Sequence, residues 1–352
     1  MFDSIDIRGV HVRNRLWVPA LCQYSVTRRD GVPTDWHLAH LGSFATGGSG
    51  LILAEATAVA PEGRISAHDT GIWNDAQVAA WQPITAFVRS QGAHVGVQLA
   101  HAGRKASAQL PWQGGGPLGK DESPWPTVAP SGRPFDEGWH VPAELDEAGI
   151  QAVIESFRIA AGRAATAGFE LVEIHAAHGY LLHQFLSPLS NHRTDRWGGD
   201  LEGRTRLLRE VVRAVREVWP ETLPVWVRLS ATDWTEGGWD DTMSVELSRM
   251  LKALGVDLVD VSSGGNVPNA KIPVGPGYQV PFASRIRHEA GIATGAVGMI
   301  IDSAQADTVI RDGSADVVLL ARELLRDPYF PRRAASELGV KIQAPVQYKR
   351  AW

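Results

Sequence analysis

Two imidazoles and a phenol lie within six positions of one another in Val172-Glu173-Ile174-His175-Ala176-Ala177-His178-Gly179-Tyr180. The apolar run leading to His175 has the character of a buried strand that ends where the chain turns outward. Three donors at one strand end could hold an oxygen anion and deliver a proton. His-x-x-His also invites a metal reading, but metal sites normally need a third ligand. The nearest acid, Glu173, is assigned to the side of its strand opposite His175. Donors for an anion are therefore the favoured reading, with structural histidines and a metal site as alternatives.

Other residues with chemistry in them fall at comparable points. Cys22 and Tyr24 follow the apolar run Leu16–Ala20, Ala56 follows Gly50–Ala54, and Gln98 lies in Val95–Leu99. Arg228 sits inside Val225–Ser230, Gly298-Met299 follow Ile292–Thr294, and Ala321-Arg322 follow Val317–Leu320. Each has a plainer alternative. Cys22 could be a small buried hydrophobe, and the tyrosines could be core residues with satisfied hydroxyls. Arg228 could form a structural ion pair, and Arg322 could cap its strand or pair with Glu323. Read as chemistry, the set combines donors, one fixed cation, a thiol and a phosphate-type turn.

The elements that must position these residues alternate. The runs above, with Leu171–His175 and Leu258–Val261, make eight candidate strands. Between most of them lie amphipathic segments at 75–91, 144–167, 203–219, 241–254, 281–289 and 303–311. Eight strands with intervening helices predict a (β/α)8 TIM barrel. An open doubly wound sheet would carry a Gly-rich turn after its first strand, and none follows Leu16–Ala20. A barrel places catalytic groups at the C-terminal ends of its strands, where these residues fall. We expect one domain over 1–352, with a long lid at about 103–143 after strand 3 and a tail after Pro328. Trp112, Trp125 and Trp139 of the lid are expected to shape selectivity. Gly114-Gly-Gly-Pro-Leu-Gly119-Lys120 mimics a phosphate-binding P-loop but lacks the preceding strand, the following helix and the hydroxyl, so it is assigned to the lid.

Composition narrows the function. With 44% hydrophobic residues the chain can bury a large core; its formal charge of -5 argues against general attraction to nucleic acid or an anionic membrane, and no apolar run is long enough to span a bilayer. The single cysteine excludes an internal disulfide and an all-cysteine metal site. The acidic N-terminus lacks a secretory pattern, so a cytoplasmic enzyme is expected. A glycoside hydrolase barrel is the rival class, with Glu55 and Asp233 as its strand-end acids.

The chain resembles the old yellow enzyme family of FMN-dependent ene-reductases. Its thermophilic-like bacterial subgroup, near the NADPH dehydrogenases and xenobiotic reductases, is the most similar. The motifs are Asn14-Arg15, Leu21-Cys22-Gln23-Tyr24-Ser25, Gln98 to Lys105, the His/Tyr segment, Leu186 to Asp195, Ala293 to Met299, Arg322 to Pro328 and the tail Pro345 to Trp352. The resemblance implies non-covalent FMN held by Pro19, Ala20, Leu21, Cys22, Ala56, Gln98, Arg228, Gly298, Ala321 and Arg322. It implies a substrate side of Tyr24, His175, His178 and Tyr180, with Arg350 entering from a neighbouring subunit of a homodimer or homotetramer. The implied reaction passes hydride from NADPH or NADH through FMN to Cβ of an α,β-unsaturated carbonyl compound. Tyr180 then donates the proton to Cα, and Cys22 tunes the flavin. Pro19-Ala20-Leu21 stands where relatives often have Ser-Pro-Met. Ala321 replaces a common Gly, which is tolerable at negative φ, and Gly203 replaces an Asn at a helix start.

Overall fold

The computed structural model describes residues 1–352. Eight parallel strands form one sheet: β1 (Leu16–Trp17), β2 (Leu51–Ala58), β3 (His94–Ala100), β4 (Leu171–Ala176), β5 (Val225–Ser230), β6 (Leu258–Ser262), β7 (Ala293–Ala296) and β8 (Val317–Leu319). Each pairs with its sequence neighbour, and β8 pairs with β1. The ring is closed by Val18, whose N–H donates to Leu51 O at 2.9 Å and whose carbonyl accepts from Leu53 N at 2.9 Å. This is the TIM barrel that the alternation predicts.

Helices α1 (Asp35–Gly47), α2 (Asp75–Ser90), α3 (Glu147–Thr166), α4 (Leu201–Val218), α5 (Asp241–Ala253), α6 (Val280–Ala290), α7 (Ser303–Arg311) and α8 (Phe330–Glu337) surround the ring. Side-chain caps start several of them. Asp146, Asp200, Asp240 and Asp302 accept the N–H of Gly149, Gly203, Met243 and Gln305, satisfying donors that the first turn leaves free. Gly203, the departure noted above, packs at this helix start: a Cβ there would lie 2.0 Å from Gly198 O. Two helices depart from expectation. The sequence of α1 is rich in His, Gly, Ser and Thr, so its apolar stripe is weak. The expected tail after Pro328 begins with α8, which completes the eighth β/α unit.

An unforeseen antiparallel hairpin, Ile5–Ile7 with Val10–Val12, joins the apolar end of the barrel. Ile7, Val10 and Val12 form one buried cluster with Trp17, Leu51, Leu53, Leu171, Trp226, Leu258, Val317 and Leu319. Trp17 and Trp226 stack there with centroids 4.9 Å apart. Small residues make room: a Cβ on Gly96 would lie 2.5 Å from Leu171 Cδ2, and one on Gly295 would lie 2.4 Å from Leu319 Cδ1. One end of the barrel is thus an apolar plug, and the polar inward residues gather at the other.

Candidate active site

Strand β4 hands over to the site through a strained turn. His178 has φ 59° and Gly179 φ 73°. A left-handed conformation is uncommon for a residue with a Cβ, so the surroundings must hold it. The His178 N–H donates to Ser230 Oγ at 2.9 Å, and Gly179 N–H donates to His183 Nδ1 at 2.9 Å. Lys105 Nζ donates to the carbonyls of His178 (2.9 Å) and Gly265 (3.0 Å). A Cβ at Gly179 would lie 2.2 Å from Gly265 O, so only glycine fits.

This turn brings the three donors together. The ring centroid of His175 is 5.1 Å from that of His178 and 5.0 Å from that of Tyr180, both edge-on. His175 Nδ1 faces the N–H of Ala177 at 3.3 Å, which leaves its proton on Nε2. His178 Nε2 lies 2.8 Å from Ser262 Oγ; with the hydroxyl as donor, the ring proton sits on Nδ1. Burial, reinforced by Arg228, holds both imidazoles well below the usual histidine range, so they are neutral donors. Burial also pushes the Tyr180 phenol up, with the neighbouring Cys22 and Asp69 adding to it. Lys105 lies 5.1 Å above the Tyr180 ring.

Cys22 and Tyr24 approach from β1. Glu55, the extra residue of a bulge in β2, accepts the Gln23 N–H at 2.8 Å, and its other oxygen is 2.9 Å from His37 Nε2. Burial, then Glu55 and Asp69, push the Cys22 thiol up, against opposing hydrogen bonds from the Ala56 backbone and the Tyr24 hydroxyl. Tyr24 meets Trp112 of the long segment after β3 edge-on at 6.0 Å. Phe135 of the same segment lies under Lys105 Nζ at 4.6 Å. Trp125 instead binds Glu62 O at 3.0 Å, and Trp139 packs on Phe135. The P-loop mimic forms short turns tied by Glu122 to Gly119 N.

A cavity at the ends of β5 to β8 and β1 is lined by Pro19, Arg228, Ser262, Gly298, Ala321 and Arg322, among others. Five of these six are among the expected flavin contacts; Ser262 is the addition. The backbone N–H groups of Gly298, Met299, Ala321, Arg322 and Glu323 make no hydrogen bond within the chain. Free donors of this kind suit a phosphate monoester. Gly298 has φ 115°, and a Cβ there would lie 2.9 Å from Gln279 Nε2. Ala321 has φ −92°, so its extra methyl brings no backbone strain. Glu323 pairs with Arg326 at 2.6 Å and Arg333 at 3.6 Å, leaving the Arg322 guanidinium without an ion pair. At the other end of the cavity stands Arg228. Fixed cation, free N–H groups and glycine cradle fit FMN.

Glu173 corrects an expectation. Residues two apart on a strand share a face, and Glu173 accordingly points inward with His175 rather than away from it. It accepts Gln98 Nε2 at 2.8 Å. Asp260, missed from sequence, lies 3.1 Å from Arg228 Nε, so Arg228 also makes the buried ion pair weighed as its alternative. Period-two counting along β4 and β6 would have found both acids. The rival carboxylates are separated: Glu55 is held by His37 and Gln23, whereas Asp233 is held by His183 at 3.0 Å and Ser187 at 2.5 Å. Another cavity, of about 700 Å³, lies elsewhere, between Arg13, Arg332 and residues 340–347. Its two arginines donate to the carbonyls of Ala45, Thr46, Ser49, Gln91 and Gln343, so both guanidinium groups are committed to the backbone, unlike that of Arg322.

Comparison with known proteins agrees with this geometry. Residues 1–340 match the model of the NADH:flavin oxidoreductase / NADH oxidase family. The chain is 48% identical to NADPH dehydrogenase of Geobacillus thermodenitrificans (strain NG80-2), over 100% of this chain and 98% of that one. Morphinone reductase superposes with a TM-score of 0.80 at 30% identity, covering 98% of this chain and 91% of its own. A second morphinone reductase structure, solved in complex with tetrahydroNAD, has a TM-score of 0.79 at 28% identity and covers 98% and 92%. No helix is long and apolar enough to cross a membrane. The chain belongs to the NADH:flavin oxidoreductase / NADH oxidase family, that of the old yellow enzymes, and is an FMN-dependent NAD(P)H dehydrogenase.

Proposed function

We propose that the enzyme is an ene-reductase that reduces α,β-unsaturated carbonyl compounds. The observation that carries this reading is the cluster of two neutral imidazoles and a protonated phenol beside the Arg228 cavity. FMN, when bound in this cavity, would supply the hydride, with NADPH or NADH as its source. His175 Nε2–H and His178 Nδ1–H donate to the substrate carbonyl oxygen, where charge grows as Cβ accepts hydride. Donors aimed at developing charge lower the barrier more than they strengthen ground-state binding. The Tyr180 hydroxyl gives its proton to Cα, completing the saturated product, and regains one from solvent. Lys105, a cation over the ring, offsets the transient phenolate charge.

Arg228 stabilises negative charge on the pyrimidine edge, and Gln98 hydrogen-bonds the same edge. Pro19, Ala20, Leu21 and Ala56 pack the ring, and Gly298, Ala321 and Arg322 take the phosphate. Cys22 remains a thiol that tunes the flavin. Tyr24, Trp112 and Phe135 bound the substrate side, with the segment 103–143 as lid. Arg350, in an exposed tail with Val346 and Trp352, enters the site of a second copy in a homodimer or homotetramer. One domain and a cytoplasmic location complete the reading. The test is an anaerobic cycle: NADPH should bleach the yellow enzyme, and cyclohexenone should restore its colour. A bleached enzyme that enones leave bleached would contradict the proposal.

A further inference from the structure

The most unusual chemistry outside the reaction itself lies one layer beneath it, where two carboxyl groups and one guanidinium share the barrel axis. Glu173 and Asp260 are both fully buried. Gln98 serves Glu173 Oε1 at 2.8 Å. Glu173 Oε2 and both oxygens of Asp260 receive no well-aligned N–H or O–H from any other group. The nearest cation, Arg228 Nε at 3.1 Å from Asp260 Oδ2, is a single charge facing two acids. The remaining neighbours cannot help. His175, on the same strand one layer above, is neutral, Leu171 and Leu258 below are apolar, and the Trp226 indole N–H makes no hydrogen bond to either acid.

Two ionised carboxylates in this space would leave a net negative charge in a dry site, at a cost of several kcal/mol per unpaired ion. A proton between them removes both problems. It makes one acid a donor to the other, satisfies the orphaned oxygens and leaves Arg228, Asp260 and Glu173 neutral as a group. Each acid acts on the other: the charge of Asp260, added to burial, raises the proton affinity of Glu173. Like charges this close cannot both ionise, and they titrate as a pair.

We propose that Glu173 and Asp260 share one proton and act as positioning residues beneath Arg228, coupling the reduction potential of the flavin to the protonation of this carboxyl pair. This rests on the placement of the isoalloxazine pyrimidine edge over Arg228 given above. Negative charge gained there on reduction raises the proton affinity of the pair. Between the proton affinities of the oxidised and reduced states, one extra proton is then taken up per two electrons. The potential should fall about 30 mV per pH unit more steeply in that interval than outside it.

The experiment is potentiometry of the holoenzyme across neutral to alkaline pH, for wild type and Glu173→Gln. The glutamine keeps the acceptor for Gln98 and supplies a permanent N–H toward Asp260, so every partner remains served. The expected result is a steepened segment in wild type and none in the variant. Identical slopes in the two proteins would overturn the coupling. An infrared titration of the oxidised holoenzyme separates the two levels. Wild type at neutral pH should show a protonated-carboxyl band that is missing from Glu173→Gln, in addition to any band from buried Asp69, which both proteins share. With no such band in wild type, the shared proton itself fails, whether or not the variant folds. With the band present and equal slopes, the pair exists, and the flavin placement over Arg228 is what fails.

Discussion

At individual residues, burial keeps the reacting groups out of their usual ionisation states. His175 and His178 are held neutral, so substrate binding should not follow a histidine titration between about pH 5 and 8. Changing both to Ala should weaken phenols that mimic the enolate by roughly a hundredfold or more, the worth of two hydrogen bonds to a charged oxygen. Unchanged phenol affinity, followed spectrally on the flavin, would remove the anion-holding role. Cys22 illustrates the opposite sign. Burial, then Glu55 and Asp69, push its thiol up, so it stays protonated through the neutral range and lacks the thiolate that reacts. Alkylation at pH 7 should be far slower than for a free cysteine, and Cys22→Ala should shift the flavin potential while turnover survives. A dead variant would contradict this. Much of this chemistry was legible: the donors, Arg228, Cys22 and Arg322 all declare themselves by type and strand-end position. Glu173 was misassigned through a counting error in a rule that is itself reliable. Asp260 sits in an apolar run, but it stands in phase with Ser262 of the cavity lining, and the same count places it on the inward face. Lys105 and Phe135 act through folding of a long loop that periodicity does not describe.

At the scale of elements, the turn after β7 is the most exacting piece. Gly298 combines φ 115° with a tight approach to Gln279. A Cβ there costs about 1–3 kcal/mol of strain and tilts the free N–H groups, so Gly298→Ala should weaken FMN retention by about tenfold or more in a folded protein. Flavin release on ultrafiltration measures it, and unchanged retention would move the phosphate elsewhere. All eight strands were legible because parallel barrel strands are short, continuous apolar runs. Helix α1 was not, because its inner face is built from Leu41, Gly42, Phe44 and Ala45 among His and Thr rather than from a strong stripe. The N-terminal hairpin was hidden by its length, three residues in each strand.

At the scale of the whole molecule, the barrel divides into an apolar plug and a polar end, and the carboxyl pair lies on the boundary. This links stability to pH with a defined sign. The proton affinity of Glu173 is raised in the fold by burial and by Asp260. Between the unfolded carboxyl range near pH 4.3 and the raised folded value, the native state holds a proton that the unfolded chain lacks. Its contribution is full at low pH and declines as pH rises, by about 1.4 kcal/mol per pH unit, until the folded group ionises. Glu173→Gln removes this term, so the variant should gain thermal stability relative to wild type from pH 5 toward pH 8. A constant difference in melting temperature over that range would contradict it. Catalysis itself turns on proton delivery at the mouth of the barrel. Its most direct measurement separates the two half-reactions by anaerobic stopped-flow in wild type and Tyr180→Phe. Reduction by NADPH should proceed at a similar rate in both, while reoxidation by cyclohexenone should slow by on the order of a hundredfold or more in the variant. Equal losses in both half-reactions, or no loss in the second, would contradict the assignment of Tyr180 as proton donor.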